Sequence, residues 1–276
     1  MEQLATLITT PPWLQEAGGF VCKRKKITGG FSATPRLPPT IQDTYYSLNI
    51  LTLLAKHGLA PCSSNDGLLR DYLSRSRPEE KHSAKVTFQR LASFRLAGGE
   101  ASADSIMAFV HRRRTETDDL EERYYCSRLM QEIIGRDDLE SPWIADQQNL
   151  GSFRTASELW MLLTLAHGRS PADLDVVSWL QKCQTYDGGF GFFPGTTSFL
   201  ENGYDCLRAL HHLGSRPRYP EDCRAFILAC CNKTGGFTRK GGATAFLSST
   251  WQALASLELL AGMDQRCKIP RNSNYE

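Results

Sequence analysis

The chain has 276 residues, 41% hydrophobic and 22% charged, which supplies apolar material for one large core or one closed ring of repeats. A formal charge of +2 and short basic runs, Lys23-Arg24-Lys25-Lys26 and Arg112-Arg113-Arg114, argue against a nucleic-acid partner. No apolar run reaches the roughly 18 residues of a membrane span, and nine cysteines without C-x-x-C spacing read as reduced thiols, so a cytoplasmic location is expected.

Met1 to Thr10 lacks the basic start and long apolar stretch of a signal peptide. Thr34-Pro35-Arg36-Leu37-Pro38-Pro39 opposes a helix, so residues 1–40 are expected to be an irregular segment packed on a ring of repeats. Residues 41–264 carry six copies of one pattern, and residues 265–276 are read as a tail.

The copies start at Thr44, Thr87, Arg123, Thr155, Gly203 and Thr250, and the first reads Thr44-Tyr45-Tyr46-Ser47-Leu48. They lie 43, 36, 32, 48 and 47 residues apart, the spacing of a two-helix repeat. In three copies a Gly-Gly-Phe precedes the pattern at one fixed distance, from Phe31 to Thr44, Phe190 to Gly203 and Phe237 to Thr250.

Counting the first pattern residue as zero, positions +4, +7 and +10 are mostly leucine, as in Leu48, Leu51 and Leu54, or Leu254, Leu257 and Leu260. That spacing predicts one buried face on each of six inner helices. Gly58, Gly98, Gly135, Gly168, Gly214 and Gly262 come next as expected stops. Outer helices are predicted near 65–75, 101–112, 139–149, 172–184 and 219–231, two of them opened by Pro171 and Pro220. The fold class is all-α, a toroid of six helical hairpins in which no hairpin could bury its leucine face alone.

A Gly-Gly-Phe turn followed by Thr-Tyr-x-x-Leu at a helix start resembles the repeat of protein prenyltransferase β subunits and, more distantly, of squalene and terpene cyclases. The resemblance covers roughly residues 18–262. It implies a central cavity with chemistry near the N-terminal ends of the inner helices, an isoprenoid or other amphiphilic small molecule as ligand, and a helical partner subunit as in the heterodimeric transferases. The zinc ligands of those transferases would fall at Asn202, Tyr204 and Ser249, none a thiolate, imidazole or carboxylate, so no zinc is expected. Magnesium would enter only with a diphosphate substrate.

The acid box of the class II cyclases falls on Asp119, Glu121 and Glu122, which the resemblance makes general acid and orienting partners, with Glu121 the proton donor. The same acids also read as an ordinary helix N-terminus. Positions −2, +2, +5 and +9 lie opposite the leucine face and should line the ring. They bring Tyr46, Leu53, Leu96, Trp160 and Leu259 as an apolar wall, and Glu121, Tyr125, Arg128, Glu132, Asp205, Arg208 and His212 as a charged one. A prenyl diphosphate would set its head on Arg123, Arg154, Arg128 or Arg208 and its chain on Tyr45, Phe88, Tyr124, Tyr204 and Trp251. Alternatively, Arg128, Glu132, Asp205 and Arg208 pair with one another as structural salt bridges. A non-catalytic scaffold or partner-binding member, and a prenyltransferase β-like subunit with a displaced site, stand beside the cyclase-like enzyme as readings of the whole chain.

Overall fold

A computed structural model describes residues 11–62, 67–76, 83–136, 153–166 and 175–268. The inner helices are α2 (Ile41–Lys56), α4 (Ala84–Leu96), α6 (Leu120–Arg128), α7 (Ala156–Leu165), α9 (Leu200–His212) and α11 (Leu247–Lys268). Outside them lie α1 (Pro12–Cys22), α3 (Gly67–Arg75), α5 (Ala103–Glu116), α8 (Val176–Lys182) and α10 (Pro220–Ala229). Each inner helix packs on the next, and α11 packs on α2, so the inner ring is closed. Among the described residues no strand forms; only isolated bridges join the turns.

The leucine face is buried as its spacing requires: Leu48, Leu54, Leu159, Leu207, Leu210 and Leu254 are each at most 1% exposed. Glycine stops the helices at Gly58, Gly98, Gly135 and Gly214, all at φ between 66° and 78°, where a side chain would be strained. Gly262 does not stop its helix, because α11 runs through it to Lys268 and past the expected boundary at 264. Gly168 and the predicted helix at 139–149 lie outside the described residues.

The Gly-Gly-Phe turns explain the constant spacing. The Phe31 amide donates to the Thr44 hydroxyl at 3.0 Å, which in turn donates to the Thr40 carbonyl at 2.6 Å. The sixth repeat has the same geometry, with Phe237 to Thr250 at 3.0 Å and Thr250 to the Phe246 carbonyl at 2.8 Å. Phe31, Phe190 and Phe237 are fully buried plugs. The glycines make room for the next outer helix: a Cβ on Gly29 would meet the Leu68 carbonyl oxygen of α3 at 2.2 Å, and one on Gly188 the Asp222 oxygen of α10 at 2.1 Å.

The same relationship corrects the expectation for residues 1–40. A Cβ on Gly235 would meet the Glu16 carbonyl oxygen at 2.4 Å, and one on Gly236 would meet Phe20 at 2.4 Å. The turn of the last repeat therefore packs on α1 as the first packs on α3, and the N-terminal segment supplies the outer helix that completes repeat six. Leu14, Ala17, Phe20 and Val21 are its buried stripe, and Pro12 opens it.

Candidate functional site

The first two turns of the inner helices surround a cavity of about 370 Å³. It is lined at the +1 and +2 positions by Tyr45, Tyr46, Tyr124, Tyr125, Tyr204, Asp205, Trp251 and Gln252, and deeper by Asn49, Arg128, Trp160 and Arg208. A second chamber of about 410 Å³ continues toward the C-terminal ends, between Leu53, Lys56, His211, His212, Ala255, Glu258 and Leu259. Trp160, Tyr204, Arg208 and Trp251 line both chambers and form the waist between them. Both volumes lie within the roughly 300–1,000 Å³ of ligand sites.

The charges of the upper chamber are paired within the wall. Arg128 donates through Nε and Nη2 to Glu132, four residues on, at 2.5 and 2.9 Å, and stacks 4.0 Å above the Phe88 ring. Burial works against the Arg128 charge, but Tyr124, Glu132 and Tyr45 outweigh it and hold the guanidinium charged. Arg208 pairs with Asp205 three residues back and lies over Tyr204 at 4.3 Å and Trp160 at 4.7 Å. Its charge is held in the same way, with Tyr204 and Asp205 outweighing burial. Lys85 binds Glu121 at 2.9 Å across α4 and α6. The Arg208 Nε is buried with no hydrogen-bond partner.

The tyrosines form a connected wall. The Trp160 Nε1 donates to the Tyr124 hydroxyl at 3.1 Å, and Tyr45, Phe88, Tyr125 and Tyr124 follow one another at centroid distances of 5.0–6.0 Å. Burial pushes the Tyr45, Tyr46, Tyr125 and Tyr204 hydroxyls up, so they remain neutral donors and acceptors at any ordinary pH.

Of the residues expected at the site, Glu121, Arg128, Arg208, Tyr45, Tyr46, Tyr124, Trp160, Tyr204, Asp205 and Trp251 do line it. Phe88 is buried behind Arg128. Arg123 and Arg154 line neither chamber; Arg154 is exposed, and its amide donates to Glu158 at 2.6 Å. The acid box is not brought together. Asp119 caps α6, accepting from the Glu122 amide at 3.0 Å, while both Glu122 oxygens accept from the Ala84 amide at 3.2 and 3.0 Å. Glu121 alone faces the cavity, 49% exposed and bound to Lys85. Leu96 is exposed and lines neither chamber.

Lys85, Gln89, Asn49 and Ser157 join the lining without having been expected there, although each sits at −2, +2 or +5 of its copy. At the positions where the resemblance would put zinc ligands, Ser249 is buried and Tyr204 lines the waist. Among the described residues no three His, Cys, Asp or Glu side chains converge as a metal site.

The sequence matches the prenyltransferase alpha-alpha toroid domain over residues 13–118, 153–219 and 196–275. The chain belongs to that family. No curated protein matches it. The family match leaves out residues 119–152, and that stretch supplies Glu121, Tyr124, Tyr125, Arg128 and Glu132 to this toroid's upper chamber. No helix among the described residues is long and apolar enough to cross a membrane.

Proposed function

We propose that this toroid holds one amphiphilic isoprenoid along its central channel, with the polar end among the tyrosines and ion pairs and the chain past the aromatic waist. The observation that carries this reading is that Trp160, Tyr204 and Trp251 belong to both chambers at once. A ligand spanning the waist meets tyrosines and ion pairs at one end, and at the other Leu53, Ala255 and Leu259 beside Lys56, His211, His212 and Glu258. Aromatic faces at the crossing favour an unsaturated chain.

The placement of the acids favours binding over proton-initiated cyclisation. A general acid needs an orienting partner and an aim at the substrate. Here Asp119 and Glu122 serve helix ends, and Glu121 is tied to Lys85 at the rim.

The test is intrinsic fluorescence during titration with farnesol and geranylgeraniol. Saturable quenching in the native protein, with its amplitude cut in Trp160→Phe and Trp251→Phe, supports the reading. Quenching that persists unchanged in both variants places the ligand elsewhere and overturns it.

A further inference from the structure

Among the described residues, the charged groups lining the upper chamber divide evenly. Lys85, Arg128 and Arg208 are the cations of its wall, and Glu121, Glu132 and Asp205 are the anions. The lower chamber adds Lys56 and Glu258, the latter bound to the His57 imidazole at 2.8 Å. Every upper-chamber cation already binds a carboxylate of the same wall, two of them within one turn of their own helix. A diphosphate carries at least two negative charges. Entering this chamber, it would have to strip the arginines from their carboxylates, leaving Asp205 unpaired and largely buried and Glu132 unpaired at the half-exposed edge. The arginines that would have tipped the balance, Arg123 and Arg154, do not line the cavity.

Among the described residues, one buried side-chain donor of this lining is left without a hydrogen bond. The Arg208 Nε is buried and unpartnered at the waist, where the two chambers meet. Neighbouring donors are committed within the wall: the Trp160 indole to Tyr124, and the Asn49 amide to the Tyr45 carbonyl at 2.7 Å. A single N–H calls for a single acceptor oxygen, and the neutral tyrosine hydroxyls around it match the same chemistry.

From this charge balance we infer that the ligand's head is uncharged, a hydroxyl or carbonyl oxygen accepting from Arg208 Nε, so that the chain takes a prenyl alcohol or prenyl carbonyl compound and discriminates against prenyl diphosphates. The inference rests on the isoprenoid reading above and narrows it. Discrimination comes from Glu132 and Asp205, which neutralise the two arginines.

Equilibrium dialysis of the full chain against farnesol and farnesyl diphosphate, quantified by mass spectrometry, tests it. The native protein is expected to retain farnesol with a Kd at least about tenfold lower than that of the diphosphate, given the unpaired and largely buried Asp205 carboxylate that the latter imposes. Glu132→Gln and Asp205→Asn each free an arginine and should narrow that ratio, and the double variant should reverse it. Glu132 is half exposed, so its variant is read out even where Asp205→Asn compromises folding. A native preference for the diphosphate overturns the neutral-head inference and leaves the isoprenoid reading standing. A preference for farnesol that neither variant alters overturns the assignment to these carboxylates. Retention of neither compound removes the isoprenoid reading and the inference with it.

Discussion

Gly235 of the last turn lies so close to Glu16 of the first helix that a Cβ would sit 2.4 Å from the Glu16 carbonyl oxygen. Two residues 219 positions apart thereby tie the first described helix to the last repeat, while α11 against α2 closes the inner ring. The contact is with backbone, which cannot rotate away as a side chain would. It also demands φ of +82° at Gly235.

Gly235→Ala should therefore unseat α1 from the ring. Strain at positive φ alone costs about 1–2 kcal/mol, and the clash adds the loss of the Phe20 and Leu14 packing. The control is Gly58→Ala, at φ +73° with nothing within 4 Å of its Cβ, which bears only the backbone strain. Urea unfolding should rank Gly235→Ala well below Gly58→Ala, and limited proteolysis should release α1 in the first alone. Equal losses would mean that α1 does not depend on the turn.

Thr44 and Thr250 hold their turns through a hydroxyl that both accepts and donates. Thr44→Val keeps the shape and leaves the buried Phe31 amide without a partner. A cost of about 1–3 kcal/mol in denaturant unfolding is expected, that of one buried unsatisfied polar group. The fifth repeat shows what replaces it: Gly203 stands at the same position with the Phe190 ring against it, 3.8 Å from where its Cβ would be. Gly203→Thr is accordingly expected to yield less stability than Thr44→Val removes.

The ring was legible in the sequence because one spacing rule served every copy. The leucines at +4, +7 and +10 of most copies went to the core, and of the expected lining positions +2 went to the channel in every copy, +5 and +9 in all but the second, and −2 at Lys85 and Glu121. Lys85 and Gln89 obey the same rule, but their copy also offers Leu96, and hydrophobicity alone favours the leucine as a wall residue. Helix α1 was hidden for a physical reason. Adjacent Gly18 and Gly19 lower its local helix propensity, and Gly18 is there because a Cβ would lie 3.0 Å from Pro61. Tertiary packing makes this helix, and propensity does not report packing. The acid box misled because Asp119, Glu121 and Glu122 are acids in register for chemistry that are also in register for capping α6 and α4. Glu122 reaches Ala84 across 38 residues, a partner no local pattern reveals. The six-residue π-helical turn Leu129–Ile134, which extends α6 and carries Glu132, had no sequence signal either.

Glu121 and Glu122 give opposite predictions. Glu122→Ala removes the acceptor for the Ala84 amide and a partner 3.5 Å from Arg113. It should lower stability by about 1–3 kcal/mol while leaving farnesol retention within about twofold once the folded fraction is corrected. Glu121→Gln breaks an exposed pair and should shift stability by less than about 1 kcal/mol. If Glu121→Gln instead abolishes a turnover seen in the native protein, the acid works as a proton donor and the binding reading gives way.

Asp187 sets a pH dependence of its own. Burial acts against its charge, but hydrogen bonds from Ser198 at 2.6 Å, Thr185 at 2.5 Å and the Gly189 amide at 3.1 Å, with Lys240 nearby, outweigh it and hold its pKa below the ordinary 3.8. A carboxylate whose pKa is depressed by folding contributes stability that is whole above the unfolded value and lost as pH falls through the lower folded one. Asp187→Asn keeps the shape of the turn and removes that titration. Denaturant midpoints measured from pH 6 down to pH 2.5 should therefore converge: native protein above the variant at pH 6, and the gap shrinking only below about pH 4. A gap that stays constant over that range would assign the effect of the substitution to the hydrogen bonds alone, with no contribution from the charge.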